Sequence, residues 1–403
     1  MPIGYLVTVA FVALLTVFAL APIRRPRSLA LLSWGLSLVI NELPFLAFYW
    51  LLAATLLAFG QGDIAPAGGW VLFGLAVLTS VGLGVIALRG WRAGPAVARA
   101  MSEGLGAGWR NELHPQLAAR LRHHLPWLQI LFLPILFRRH DVERLRNIPY
   151  GDAGRWNLLD LYRPRSRPPN GPTLVYLHGG GFSSGRKSRE VRPLIYRLAS
   201  QGWVCISANY RLRPAATFPD HLIDLKKVLA WVGEDGSDYG ADTTVIFAAG
   251  SPAGGNLALL AALTPNEPAF QPGFERADTS IVAAISLYGY YGPHYDRELE
   301  ARLPSSPMAY DAAAAPPIFL AHGDHDTYVP VQSARLMAQR LRSRSTEPVV
   351  YAELPGGQHS FDLYQSIRFE TVVDGIEAFA AWVISRPNRP PAPGPPDPLR
   401  VTF

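Results

Sequence analysis

The stretch at residues 245–262 constrains the fold of this chain more than any other. It opens with an apolar run from Val245 to Ala249, which is typical of a buried strand. A turn of small residues follows, and an Ala/Leu-rich helix is predicted from about Gly254. A buried strand that meets a helix through a tight turn can raise one side chain above the edge of a sheet. This stretch therefore predicts an α/β fold with a candidate site at the turn.

The turn carries two glycines at the spacing of the G-x-S-x-G nucleophile elbow. Gly250 and Gly254 hold the glycine positions, but Pro252 stands where the serine is usual, and Ser251 lies one residue earlier. Proline has no hydroxyl, and its ring fixes φ near about −65°, whereas an elbow nucleophile commonly has a positive φ. Two outcomes stay open. Either Ser251 is the nucleophile and Pro252 occupies the first helical position, or the site binds ligands without cleaving them. A change introduced into this particular chain is a third explanation.

Three more motifs follow predicted strands. The first, His178-Gly179-Gly180-Gly181, predicts an oxyanion hole, because glycines leave backbone N–H groups directed into open space. The others place Asp326 and His359 on separate loops after later strands. An acid and a histidine at one sheet edge can meet there, with the acid fixing the imidazole tautomer and the histidine acting as general base. Each residue alone is typical of a turn, but their order after the elbow favours a catalytic set.

Strands and helices alternate from Ile148 to residue 385, which predicts a mostly parallel sheet with helices on both faces. The predicted strands cover 156–162, 173–177, 204–208, 245–249, 281–287, 318–321 and 349–354, and the predicted helices cover 191–201, 219–232, 332–342 and 369–383.

Together these motifs resemble the hormone-sensitive-lipase-like esterases of the α/β-hydrolase fold. The resemblance implies carboxylester hydrolysis through an acyl-enzyme, without metal or cofactor, with His359 as base and Asp326 as orienting acid. It also implies oxyanion donors at Gly179, Gly180 and the residue after the nucleophile, for which Ala253 is the candidate. The resemblance extends from Ile148 to Val383 and rests on His178–Gly181, Asn209–Arg211, Gly250, Ala253–Ala258, His322, Gly323, Asp326, Gln358 and His359.

The proline also affects the predicted oxyanion hole. If Ser251 attacks, the residue after it is Pro252, which has no N–H to donate. Losing one such donor costs about 10²–10³ in rate. The leading hypothesis is nevertheless a serine carboxylester hydrolase that acts on apolar acyl esters. The alternative is a catalytically inactive hydrolase-fold protein that serves as a binding or scaffolding module.

Three apolar stretches, at 3–22, 29–59 and 70–88, come before this unit. Each is long enough to cross a bilayer at roughly 20 residues per span. A signal peptide would need a basic segment, and none precedes Ile3. Pro44 predicts a kink in the second stretch, and Glu42 must face other helices, water or an interface.

The segment from Arg89 to Arg146 holds ten arginines and four acidic residues, a balance of +6 that equals the net charge of the whole chain. Such a segment after apolar spans predicts contact with an anionic inner leaflet, although a solvated helical face is as good an explanation. Arginines at the ends of the spans predict a multi-pass cell-membrane protein with a cytoplasmic hydrolase domain. If residues 29–59 instead form two half-spans or a re-entrant loop, the hydrolase domain lies outside. No motif supports nucleic-acid binding.

We therefore expect transmembrane helices over 1–92, a basic juxtamembrane or cap segment over 93–147, a hydrolase domain over 148–385 and a Pro-rich disordered tail over 386–403. Within the second segment, Leu125–Phe137 is intensely apolar but too short to span a bilayer. It is either an interfacial segment or flap, or an ordinary buried helix. Cys205 lies in an apolar strand and is expected to be a core thiol.

Overall fold

The computed structural model describes residues 3–122, 124–166, 170–294 and 302–386. All the predicted site residues lie within these ranges. The tail expected over 386–403 lies outside them, apart from Arg386.

A single mostly parallel sheet organises the described residues from Val142 onward. Its strand order is β1-β2-β4-β3-β5-β6-β7-β8, with β1 and β2 antiparallel to their neighbours and the other six strands parallel. This confirms the predicted sheet. The strands are β1 (Val142–Pro149), β2 (Leu158–Pro164), β3 (Gly171–Leu177), β4 (Val204–Ala208), β5 (Ala241–Gly250), β6 (Ala283–Leu287), β7 (Ile318–Gly323) and β8 (Val349–Leu354).

Strand β1 was not predicted, because its sequence has no apolar run. It pairs only with β2 at the edge of the sheet, and most of its side chains are partly exposed, so its mixed composition is tolerated there. The central strands β3, β4 and β6 are almost entirely buried, which explains why their apolar runs were recognisable.

Helices cover both faces of the sheet. Helices α5, α8 and α12 pack on one face, and α9, α10 and α11 pack on the other. Residues in β3 alternate between these two cores, as the two-residue period of a strand requires. The helices are α1 (Ile3–Leu20), α2 (Arg27–Glu42), α3 (Pro44–Gly60), α4 (Ala67–Trp91), α5 (Ala93–Leu105), α6 (Pro115–Ala118), α7 (Trp127–Phe132), α8 (Arg192–Ser200), α9 (Asp220–Asp235), α10 (Ala253–Leu263), α11 (Gln332–Arg344) and α12 (Ile367–Ser385).

The first four helices form an apolar bundle whose outer side chains are exposed. By length and composition, α1 and the continuous stretch Ala67–Leu105 could each cross a membrane. Helices α2 and α3 would add a third span if the bent pair counts as one, but they meet at an angle of 83°. The kink predicted at Pro44 is therefore a sharp turn of the chain between α2 and α3.

The segment after the bundle packs against the body of the sheet through α5. The inner side chains of α5, including Val97 and Met101, belong to the same core as Phe319 in β7 and Phe379 in α12. Helix α7 lies in the apolar stretch Leu125–Phe137, for which a buried helix was one alternative. Its side chains Trp127, Leu128 and Phe132 are exposed. The domain boundaries expected at residues 92 and 147 stay predictions.

Candidate active site

The turn between β5 and α10 keeps the close packing of a nucleophile elbow. A β-carbon on Gly250 would lie 2.1 Å from the carbonyl carbon of Gly254, and one on Gly254 would lie 1.9 Å from the Leu177 carbonyl oxygen. Pro252, however, has helical angles of φ −69° and ψ −36°. Neither Ser251 nor Pro252 has a positive φ. The strained backbone of the usual elbow is therefore replaced by an ordinary helix start.

Ser251 is fully buried and its hydroxyl is already engaged. Its Oγ donates to Oδ2 of Asp362 at 2.7 Å. Its backbone N–H donates to the Leu177 carbonyl at 3.3 Å. The Ser251 side chain is thus positioned as a structural hydrogen-bond donor, and among the described residues it makes no hydrogen bond to an imidazole.

Asp326 and His359 form the predicted pair. Oδ2 of Asp326 lies 2.7 Å from Nδ1 of His359, which confirms that the two residues are within hydrogen-bond reach. Oδ1 of the same carboxylate accepts the backbone N–H groups of Tyr328 (2.8 Å) and Val329 (2.7 Å). Burial opposes the charge of Asp326, but the charges of His359 and His322 and the side-chain hydrogen bonds with these two residues hold its pKa well below the usual value. Asp326 is therefore a buried anion that fixes the imidazole.

Aromatic rings surround the imidazole of His359, which is only 3% exposed. The rings of Tyr288, Tyr328 and Trp34 lie at centroid distances of 4.7, 4.6 and 6.1 Å from it. Within the described residues, Nε2 of His359 has no hydrogen-bonding partner, so it is the nitrogen left for chemistry. Because Nδ1 faces a carboxylate, we assign the proton to Nδ1 and the lone pair to Nε2.

Asp362 and Tyr288 connect the Ser251 hydroxyl to the imidazole without bringing the two together. The Tyr288 hydroxyl donates to Oδ1 of Asp362, and the Tyr288 ring packs on His359. Tyr288 has a φ of 40°, which is costly for a bulky residue and recurs at functional sites. Burial and the nearby Glu190 raise the pKa of Asp362 to about 7. No sequence motif pointed to Asp362 or Tyr288.

In the glycine loop, one of the predicted oxyanion donors is already hydrogen-bonded within the protein. The N–H of Gly179 donates to Oε2 of Glu190 at 2.7 Å, so it is not available to a substrate. Among the described residues, the N–H groups of Gly180, Gly181 and Ala253 donate to no protein acceptor. The open donors are therefore those of Gly180, as predicted, with Gly181 added, while the part that Ala253 takes stays a prediction.

Pro252 lies directly against this loop. A β-carbon on Gly179 would be 2.2 Å from Cδ of Pro252, so the ring packs on the backbone that leads into the open amides. Pro252, which stands at the serine position of the G-x-S-x-G pattern, therefore lies next to the glycine loop.

Two further observations concern metals and thiols. The described residues contain no group of three or more His, Cys, Asp or Glu side chains that could hold a metal ion. Cys205 is fully buried, which confirms the predicted core thiol, and burial raises its pKa.

Comparisons with known proteins identify the family of this chain. The family model described as BD-FAE matches residues 159–293. The chain is 36% identical to the probable carboxylic ester hydrolase LipM of Mycobacterium tuberculosis, over 98% of this chain and 96% of that protein. It is 36% identical to the esterase LipQ of the same organism, over 64% of this chain and 67% of LipQ.

Solved structures support the fold. A truncated carbohydrate esterase from gut microbiota superposes with a TM-score of 0.51 at 18% identity, over 59% of this chain and 96% of that one. Since LipM matches almost from end to end, its similarity includes the apolar N-terminal helices as well as the sheet. The chain therefore belongs to the carboxylic ester hydrolase family of the α/β-hydrolase fold, together with LipM and LipQ.

Proposed function

We propose that this chain hydrolyses carboxylic esters with apolar acyl groups at a membrane, and that His359 acts as general base toward water. The observation that carries the proposal is the 2.7 Å hydrogen bond between Asp326 and His359. It orients an imidazole whose Nε2 has no partner among the described residues. A base held in this way is the part of an esterase that this chain retains in full.

The reaction that fits these residues is a single displacement. Nε2 of His359 takes a proton from water while the water oxygen bonds to the ester carbonyl carbon. The amides of Gly180 and Gly181 donate to the oxyanion that forms. When the tetrahedral intermediate collapses, the bond to the alkoxy oxygen breaks, and the imidazolium returns its proton to the leaving alcohol. Asp326 stays ionised and stabilises the imidazolium throughout.

The position of Ser251 argues against the acyl-enzyme route that the sequence favoured. Its hydroxyl is fully buried and committed to Asp362, and Pro252 supplies no hydroxyl and no N–H. Without a nucleophilic side chain, the remaining general base catalysis contributes a factor of about 10²–10⁴ in rate. We therefore expect slow hydrolysis.

The membrane part of the proposal draws on the N-terminal bundle. Exposed apolar side chains such as Phe11, Trp50 and Leu78 cover its outer surface. This surface suits lipid, because soluble proteins rarely expose such large apolar patches. The end of the bundle nearest the hydrolase body carries arginines, with Arg24 donating to the Asp324 carbonyl at 2.8 Å. Under the positive-inside rule, we propose that the hydrolase body lies in the cytoplasm.

A second candidate function is ester binding without turnover, with an acyl ester as ligand. The observation that favours it is the packing of the Pro252 ring against the glycine loop, on the side where a nucleophile would stand.

One assay distinguishes the two candidate functions. It measures hydrolysis of p-nitrophenyl butyrate by the full chain in detergent. Hydrolysis by the unmodified chain should exceed that of His359→Ala, because only the former has the base. Ser251→Ala is the matched variant and should retain most of the activity. Equal rates for the unmodified chain and His359→Ala would exclude hydrolysis and leave ester binding as the only candidate function. Loss of activity in a folded Ser251→Ala variant would restore the serine route.

A further inference from the structure

Helix α2 is amphipathic in the reverse sense to a helix of a soluble protein. Its inward face holds polar side chains, and its outward face holds Leu29, Leu32 and Val39, which are 41%, 49% and 50% exposed. Outward apolar and inward polar groups are favourable together only when the surroundings are apolar. The buried residues of the inward face are Ala30, Ser33, Ser37, Ile40, Asn41 and Glu42.

The inward face of α2 is fastened to the loops that carry the catalytic pair. Thr327 donates to the Ala30 carbonyl at 2.9 Å, next to Asp326. Asn41 donates to the Gly356 carbonyl at 3.1 Å, on the loop that leads to His359. These contacts make α2 part of the wall of the site.

The amino-terminal end of α2 is held by contacts of Arg27 with Tyr328. Arg27 donates to the Tyr328 carbonyl at 2.7 Å and lies over its ring at 5.3 Å. At the other end, Glu42 forms a buried ion pair with Arg368. Because both ends are anchored, the helix keeps one orientation over the site.

Trp34 brings α2 against the imidazole itself. Its Nε1 donates to the His359 carbonyl at 3.2 Å, and its ring packs edge-on against Tyr328 at 5.0 Å. Trp34 is only half-buried, whereas His359 is almost completely covered. The Trp34 ring therefore stands between the outward, apolar side of α2 and the general base.

The bend between α2 and α3 fixes where this wall lies. Helix α3 carries exposed Trp50, Leu56 and Phe59 along its length, as expected for a lipid-facing helix. Since α2 turns away from α3 by 83°, an upright α3 leaves α2 lying close to the membrane plane. The apolar face of α2 then contacts the acyl chains just below the membrane surface.

We infer that the substrate is a membrane-resident lipid ester that reaches His359 from the bilayer along the outward face of α2, past Trp34. The inference rests on the proposed function and names its substrate class. A long acyl chain stays in contact with Leu29, Leu32 and Val39, so only its ester group has to pass the indole. A small ester dissolved in water lacks these contacts and meets the Trp34 ring as an obstacle.

The test compares two substrates on the full chain in phosphatidylcholine/phosphatidylglycerol vesicles. One is a fluorogenic long-chain ester incorporated in the vesicles, and the other is p-nitrophenyl acetate in the water phase. Trp34→Ala should raise kcat/KM for the acetate and lower it for the vesicle ester, so that their ratio shifts by about tenfold, the equivalent of one aromatic contact. Trp34→Phe should retain most of the unmodified ratio, because it keeps a ring at this position.

Controls separate a local role of Trp34 from a general effect on the fold. Trp70→Ala changes a tryptophan that is 56% exposed on α4 and packs on Phe59 and Phe73, away from His359, and it should leave the ratio unchanged. Leu32→Gln should lower hydrolysis of the vesicle ester by a larger factor than that of the acetate. Equal losses for both substrates in Trp34→Ala would mean that Trp34 only supports the fold, and would overturn the inference.

A second readout does not depend on turnover, so it distinguishes failure of this inference from failure of the proposed function. Vesicles that contain a phospholipid with a diazirine in its acyl chain are irradiated with the unmodified chain and with His359→Ala. Adducts on α2 in both proteins are expected. Absence of adducts on α2, with adducts present on α3 as the positive control, would overturn the inference whatever the activity.

Discussion

Replacing Pro252 with serine tests the role of the proline most sharply. The serine hydroxyl would stand beside the glycine loop, because the ring of Pro252 already packs on Gly179. The glycines on which the elbow depends are still present, as the approaches of 2.1 and 1.9 Å at Gly250 and Gly254 demonstrate. Asp326 and His359 are already hydrogen-bonded. Pro252→Ser should therefore complete a triad whose other members are in place.

The expected gain follows from two opposing effects. Removing the serine of a triad costs on the order of 10⁶ in kcat, and its return should recover a comparable factor. Against this, residue 252 now has a helical φ of −69°. Forcing it into the strained elbow conformation costs about 1–3 kcal/mol, or roughly 5–150-fold. The difference leaves a gain of about 10⁴–10⁵ in kcat.

The assay measures hydrolysis of p-nitrophenyl butyrate and looks for a burst of p-nitrophenol. The Pro252→Ser variant should show a burst, since the acyl-enzyme forms faster than it is hydrolysed. The matched control is Pro252→Ala, which removes the ring without adding a hydroxyl and should show no burst. If Pro252→Ser were no faster than Pro252→Ala, the argument that only the hydroxyl is missing would be refuted.

Three further predictions concern the groups around the site. Asp326→Asn should lower kcat by about 10²–10⁴, because the amide no longer fixes the tautomer or stabilises the imidazolium; steady-state kinetics checks this against His359→Ala. Glu42→Gln should destabilise the fold by about 3–5 kcal/mol, since it leaves the buried charge of Arg368 unpaired, and thermal unfolding in detergent measures it. Burial beside a second carboxyl raises the pKa of Asp362 from 3.8 to about 7, so the folded state retains a proton that the unfolded chain releases. This contribution to the free energy of unfolding is complete below about pH 4 and is lost as the pH rises through about 7. Asp362→Asn should flatten this part of the plot of unfolding free energy against pH. An unchanged plot would exclude Asp362 as its source.

The sheet could be predicted because each central strand is an apolar run between turn residues. Strand β1 escaped prediction because an edge strand needs no such run. The N-terminal helices were visible as apolar stretches, but their geometry was not. A proline predicts a break in the helix but not its angle, which is 83° at Pro44.

The chemistry of the site was only partly visible for a related reason. Asp326 and His359 follow strands at the same sheet edge, so topology brings them together. The direction of the Ser251 hydroxyl is set by Asp362, which lies 111 residues further along the chain. The Gly179 amide is taken by Glu190, for which no motif exists. Partners that are remote in sequence and belong to no motif cannot be inferred from local pattern.

The central claim is that water, and not a side chain, attacks the ester in this chain. Intact-protein mass spectrometry after incubation with a fluorophosphonate probe tests it directly, under conditions in which His359-dependent hydrolysis is also measured. The account predicts hydrolysis without any covalent adduct, because Pro252 has no hydroxyl and that of Ser251 is buried against Asp362. An adduct on Ser251 that disappears in Ser251→Ala would contradict it.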